Sequence, residues 1–411
     1  MSGRRGDGEG SIYRAADGSW RGSIRLGTDF GETPIRRHVR GRTKAEVREK
    51  LERLKREHDG GVRSSTRPMT VSNWLVTWLG IQARIAKPST LKTYRTHVKY
   101  AIAAFGARTW TKMTPEIVER MYDDLLERGL KPISVAGVHR TLRSAGREGV
   151  RRGHFARSPF DRARPGRVQE EEIVPFTAAE GRAILEVAAS RRNAARWYVG
   201  LVEGLRQGEA LGLQWDDIGW QAETLRVRRA LQRLGPQHGC DDPEDCGSPV
   251  DCPHRRPGGL VVVEPKSKSA IRTIKLTSQS LKALKVHRAA QAEERLAAGE
   301  LWLPPPPNAG LNSGSGWVFA TVTGGPTDPK RDWEAWKEIL VEAQVHDARL
   351  HDARHSACSF LLASGLDARI VMDRFGWTHS SMLARYQHVL PEIQEEAARR
   401  LEGFLFGDET V

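Results

Sequence analysis

The chain opens on short alternating runs. Ile12 and Tyr13, then Trp20, Ile24 and Leu26, then Ile35 to Val39, are separated by Asp17-Gly18 and by Gly27 to Gly31. Period-two alternation between Gly- and Asp-bearing turns predicts a three-stranded antiparallel meander. The period then changes. Thr43-x-x-Glu46 is a capping-box signature, and Val47, Leu51 and Leu54 form the apolar stripe of a helix that stops at Gly60-Gly61. Gly60 to Pro68 is polar and rich in breakers, and reads as a linker.

From about Met69 to Ala156 the period is helical. Trp74 and Trp78 lie at i, i+4, and Leu91, Tyr94, Val98 and Ile102 make the core stripe of a helix begun at Pro88-Ser89. Thr114-Pro115 opens a third helix, and a fourth spans about Ser134 to Arg151. Arg157 to Pro175 is rich in Arg, Pro and Glu and separates this bundle from a last region whose first helix is capped by Thr177-x-x-Glu180. Runs at Leu225 to Leu231, Leu260 to Val263 and Arg272 to Leu276 predict the three strands of one small sheet. Leu303 to Gly316 reads as a surface loop, and Asp328 to Val345 as helix. A long apolar helical run follows Arg354, with Cys358 as a core residue, and Leu390 to Phe406 is amphipathic and ends in a short acidic tail.

Composition adds a polyanionic partner. The 411 residues carry 65 Lys and Arg against 51 Asp and Glu, a net charge of +14. Such a surplus favours phosphate contacts, which release counterions. It is concentrated in stripes: Lys92, Arg95 and Lys99 on one predicted helix, and Arg140, Arg143 and Arg147 on another. Arg21, Arg25, Arg36 and Arg37 sit on the predicted strands. A single basic stripe is ordinarily a solvated face, and that reading stays open for each; two in one bundle favour DNA. There is no run of 18 apolar residues and no apolar signal core at the N-terminus, so neither a membrane span nor secretion is expected. Four cysteines in this length argue against a disulfide scaffold and for a reducing cytoplasm.

The chemistry lies between Leu350 and Val389. His351 and Arg354 are one helical turn apart, able to face one anionic oxygen, and Tyr386 follows. A phenol becomes a nucleophile where positive charge stabilises its phenolate, which points to a phosphodiester.

His-x-x-Arg, with Tyr386 32 residues after the Arg and Gly376-Trp377 ahead of that Tyr, resembles the second signature box of the tyrosine recombinases, the phage integrase family. His-Asp-Ala-Arg also occurs at 346 to 349, but only the second copy has this distance to Tyr, so His346 and Arg349 are read as structural. Gly204-Leu205-Arg206-Gln207-Gly208-Glu209-Ala210-Leu211 resembles the first box, with Arg206 as the second arginine and Glu209 as its acidic partner, orienting it through a forked hydrogen bond. The resemblance implies a lysine general acid in the turn Glu264 to Ser269. Lys266 fits the commonest spacing, with Lys268 the alternative. Trp377 stands where most members have His; an indole donates one hydrogen bond and packs but cannot titrate.

The resemblance implies a multidomain α+β protein: an arm-type DNA-binding domain (1–63) of three strands and a helix, a helical core-binding domain (69–160), and a mainly α catalytic domain with a small antiparallel sheet (175–400), before a tail at 401–411. It further implies an integrase of a phage or mobile element that cuts and rejoins double-stranded DNA at core- and arm-type attachment sites through a 3′-phosphotyrosyl link. It would act as a homotetramer, with the last helix docking on a neighbour, with an excisionase or DNA-bending protein as partner, and in the nucleoid of a bacterial host. No cofactor is needed, since the covalent link stores the energy of rejoining. A Xer-like resolvase or invertase, or a non-catalytic DNA-binding regulator, is the alternative.

One insertion departs from that plan. Within Gly235 to Gly258, Cys240, Cys246, Cys252 and His254 would supply three thiolates and an imidazole to a structural zinc; His238 lies in the same stretch. A flexible loop with reduced thiols is the alternative.

Overall fold

The N-terminal alternation becomes a meander of β1 (Gly10–Arg14), β2 (Trp20–Thr28) and β3 (Pro34–Gly41), all antiparallel. In this computed structural model the described residues are 10–28, 34–59, 69–168, 174–240, 246, 248–265, 268–303, 315–380, 382–383, 386 and 390–406. The chain divides into two units, Met1–Glu171 and Glu172–Val411.

In the first unit, α1 (Lys44–Asp59) lays Val47 and Leu51 on Ile24 of the sheet, a small core of its own. Its start is capped as the sequence predicts, with the Glu46 amide donating to Thr43 Oγ1 at 3.2 Å. The helices α2 (Val71–Ala83), α3 (Pro88–Phe105), α4 (Pro115–Glu127) and α5 (Pro132–Arg151) enclose a second core around Trp74, Trp78, Val98, Tyr122 and Leu142. Proline in the first turn of α3, α4 and α5 supplies a fixed φ where no amide is needed.

The second unit begins with α6 (Ala178–Ala189), started by a complete Thr177–Glu180 capping box, and α7 (Ala194–Trp197). A five-residue π-turn at Tyr198–Val202 leads to α8 (Gln207–Leu211). Buried Arg196 on α7 forms a bidentate pair with Asp332, at 2.9 and 3.0 Å, and Gln207 Nε2 donates to the same carboxylate at 3.1 Å. These bonds fix the start of α8.

Two sheets form here where the sequence predicts one. β4 (Ile218–Gly219), β5 (Thr224–Val227) and β8 (Arg272–Lys275) make the first, and β6 (Ala230–Leu234) pairs only with β7 (Gly259–Val263). The break falls at Arg228-Arg229, because both guanidiniums turn to Asp217, at 2.6 and 3.1 Å. That carboxylate is buried, and a charge there needs partners more than the ladder needs two residues.

Further helices of the unit are α9 (Ser278–Ala298), α10 (Pro329–Glu342), α11 (Leu350–Ala363) and α12 (Ala368–Phe375). Gly376 ends α12 in the left-handed region, φ 64°, and a Cβ there would lie 2.7 Å from the Ser269 carbonyl oxygen. The last helix, α13 (Leu390–Phe406), contacts α11 and leaves Leu401, Phe404, Leu405 and Phe406 exposed. Among the described residues no helix is long and apolar enough to cross a membrane.

Candidate active site

Glu209 is the centre of the charged cluster. It is buried at the start of α8, and three guanidiniums surround it. Arg206 Nη1 donates to Oε1 at 2.6 Å and the Arg206 amide to Oε2 at 3.1 Å. Arg272, at the start of β8, donates Nη2 to Oε2 at 2.9 Å and Nη1 to Oε1 at 3.3 Å. Arg354 Nη1 lies 3.8 Å from Oε2. The forked pair is thus made by Arg272, not by Arg206 as the spacing predicts. Burial opposes the ionisation of Glu209, but the hydrogen bonds and charge of Arg272, then of Arg354 and Arg206, outweigh it and hold its pKa at about 2. Three cations against one anion leave the cluster positive.

Arg354 is buried on α11 and anchored on backbone: Nη1 donates to the Gly204 carbonyl at 2.6 Å and Nη2 to that of Phe375 at 2.5 Å. Its guanidinium also lies over the rings of Phe375 and Trp377. Arg206, with 38% of its side chain exposed, is the open cation of the cluster. His351 is one turn before Arg354 and is exposed at the surface, although its ring lies against His355. Its pKa is pushed down to about 4, first by loss of surrounding water and then by His355, Arg354 and Arg206, which outweigh Asp352. Its imidazole is therefore neutral at pH 7, able to donate from one nitrogen and accept at the other.

Tyr386 is 3% exposed. Its ring stacks on Trp377 at 5.7 Å, and its hydroxyl meets His355 Nδ1 at 2.5 Å. His355 in turn meets His351 edge to face at 4.9 Å. Thus Arg206, Glu209, His351, Arg354, Trp377 and Tyr386 are gathered in one place, from α8, α11 and the segment after α12. Lys266 lies outside the described residues. His379, seven residues before Tyr386, is exposed. His346 is engaged elsewhere, with Glu180 at 3.1 Å, and Arg349 with Asp352 at 3.0 Å.

Sequence reasoning missed Arg272 and His355. Arg272 opens a strand, and its one signal is a charge at a buried position. His355 directly follows Arg354 and so lies one turn beyond His351 on the same helix.

The basic faces are placed as follows. Strand register pairs Arg25 with Arg36, Arg21 with Arg40, and Ser23 with His38, which sets these on the side of the sheet away from α1. Arg37 pairs with buried Ile24 and so belongs to the α1 side, a correction, while Arg40 and His38 join the open face. Lys92, Arg95 and Lys99 are exposed along α3. Arg140, Arg143 and Arg147 line one groove on α5 with Arg151, but Arg143 and Arg147 both donate to Asp161, at 2.9 and 2.7 Å, which offsets part of their charge.

The cysteines also converge. Cys240, Cys246 and Cys252 come together with His238, not with His254, whose side chain is exposed. The turn in which the Arg255 amide donates to the Cys252 carbonyl at 3.0 Å carries His254 outward.

Residues 254–392 match the family described as "Phage integrase family". An integrase of Saccharopolyspora erythraea is 36% identical over 98% of this chain and 98% of its own. The chain belongs to the phage integrase family. As a member of that family it is a site-specific tyrosine recombinase, an enzyme that transfers DNA strands. Its fold is shared with the Tn1549 transposon integrase, solved with transposon right end DNA, at 17% identity, TM-score 0.64 and coverage of 81% of this chain and 99% of that one. It is also shared with lambda integrase, solved as a tetramer bound to a Holliday junction, at 15% identity, TM-score 0.52 and coverage of 91% and 94%.

Proposed function

We propose that this integrase cleaves one DNA strand by in-line attack of the Tyr386 hydroxyl on a phosphodiester, giving a 3′-phosphotyrosyl link and a free 5′-hydroxyl. The observation that carries this reading is the convergence of Arg206 and Arg354 on Glu209, beside His351 and within one aromatic stack of Tyr386. Both guanidiniums bear on the non-bridging oxygens as phosphorus becomes five-coordinate, where preorganised charge stabilises the added negative character. Glu209 and Arg272 hold them. His355 Nδ1, already on the phenol, accepts its proton; His351, neutral, donates a hydrogen bond to the phosphate. Lys266 gives a proton to the departing 5′-oxygen. Trp377 orients Tyr386 by stacking and transfers no proton. Every step is a nucleophilic or proton transfer by side chains, and the phosphotyrosyl ester conserves the bond energy, so the reaction calls for no cofactor.

Around this centre, residues 1–63 would read arm-type sites through Arg21, Arg25, Arg36 and Arg40. Residues 69–160 would grip core sites through Lys92, Arg95, Lys99 and Arg140. Four copies would act together on two double-stranded attachment sites of a phage or integrative element, with α13 reaching to a neighbour and an excisionase or bending protein setting direction in the bacterial nucleoid. The test is a nicked suicide DNA substrate in buffer free of divalent ions. A covalent protein–DNA adduct that disappears in Tyr386→Phe supports the reading. Sequence-specific binding without an adduct would leave a regulator.

A further inference from the structure

The hairpin tip between β6 and β7 carries chemistry that strand transfer leaves unused. We propose that His238, Cys240, Cys246 and Cys252 bind one zinc ion that staples this tip. The four donor atoms lie within 4.8 Å of one another, and His238 Nδ1 is 3.8 Å from Cys240 Sγ. A tetrahedral zinc, with bonds of about 2.3 Å to sulfur and about 2.1 Å to nitrogen, sets its ligands about 3.6 to 3.8 Å apart. Side-chain adjustments of roughly 1 Å at most close the set.

The backbone is arranged for this. Gln237 and Arg256 bridge the two limbs through paired bonds of 3.1 and 2.9 Å, and the ligands lie just beyond. A Cβ on Gly239, between His238 and Cys240, would sit 2.2 Å from the His254 carbonyl oxygen, so the limbs approach as closely as glycine alone permits. Among the described residues of 235–258, Cys252 is the one buried side chain. A stretch with no apolar core obtains its order from another source, and a metal is the source that three thiols and an imidazole supply. Disulfide pairing would leave one of the three thiols over, and none of the three is in a disulfide.

The staple has a mechanical role. β6 packs along α8, which carries Glu209, and β7 runs from the tip to Val263, three residues before Lys266. The metal therefore steadies β7, and its loss slackens that strand.

The experiment is zinc analysis of the full chain purified without added metal or chelator, with cobalt replacement to report thiolate ligation. About one zinc per chain is expected in the wild type and in Tyr386→Phe, which separates this inference from the recombination chemistry. His254→Ala retains it. Cys246→Ser and His238→Ala weaken binding at least about tenfold, with far-UV circular dichroism unchanged, and Cys246→Ser diminishes the thiolate-to-cobalt charge-transfer band. A wild-type protein without zinc, or equal zinc in wild type and Cys246→Ser, overturns the proposal. Loss of zinc in His254→Ala but not in His238→Ala overturns the ligand set.

Discussion

The hydroxyl of Tyr386 and Nδ1 of His355 lie 2.5 Å apart, with the tyrosine ring stacked on Trp377. The proposed nucleophile thus rests on the imidazole that directly follows Arg354 in sequence. His355→Ala is expected to slow formation of the covalent adduct by about 10- to 100-fold, while Tyr386→Phe abolishes it. Single-turnover cleavage of a suicide substrate measures both. Equal rates in His355→Ala and wild type would show that this contact only packs.

Glu209→Gln should cost about 3 kcal/mol of stability, because it leaves the guanidiniums of Arg206, Arg272 and Arg354 without their shared anion. The carboxylate's folded pKa, about 2 against an ordinary 4.5, lies below its unfolded value. Its contribution is therefore complete above about pH 4.5 and lost as pH falls toward 2. Urea denaturation from about pH 6 down to about pH 2 checks this: the wild type loses this contribution below about pH 4.5, and the Gln variant declines less there.

His351 acts in the same direction with pH, although it is a base. Its folded pKa, about 4, is below the ordinary 6.5, so the unfolded chain binds the proton first, and stability declines as pH falls between these values. The His351 ring proton followed by NMR should titrate well below 6.5 in the DNA-free protein. A midpoint at the ordinary value would show that the neighbouring cations do not reach it.

Arg25→Ala and Arg36→Ala should each lower the slope of log affinity against log salt for arm-site DNA by about one, since both lie on the open sheet face. Arg37→Ala, on the α1 side, should leave that slope unchanged. Fluorescence anisotropy from low to moderate salt separates the two faces.

Replacing Arg196 with Leu should destabilise the protein by about 3 to 5 kcal/mol, because Asp332 is then buried without its bidentate partner. Thermal unfolding gives the loss. Adduct formation at a temperature where the variant is folded should still fall, since the same carboxylate receives Gln207, next to Arg206.

What the sequence made legible is what short spacing determines. His351 and Arg354 share a helical turn, Arg206 and Glu209 share another, and Thr177 and Glu180 cap a helix as their separation predicts. Contacts between distant positions were hidden. Arg272 meets Glu209 across 63 residues, and Asp217 breaks a strand by drawing two arginines from beyond it. Period-two alternation says nothing of which residue a buried carboxylate will recruit. The choice of His238 over His254 was equally closed to spacing, since it depends on a turn that aims one imidazole inward and the other out.

At position 376 the absence of a single carbon lets the backbone ahead of the nucleophile lie directly on the oxygen of Ser269, three residues past Lys266. The segment leading to Tyr386 and the one reaching Ser269 thereby rest directly on each other. Any side chain at 376 would wedge these two segments apart.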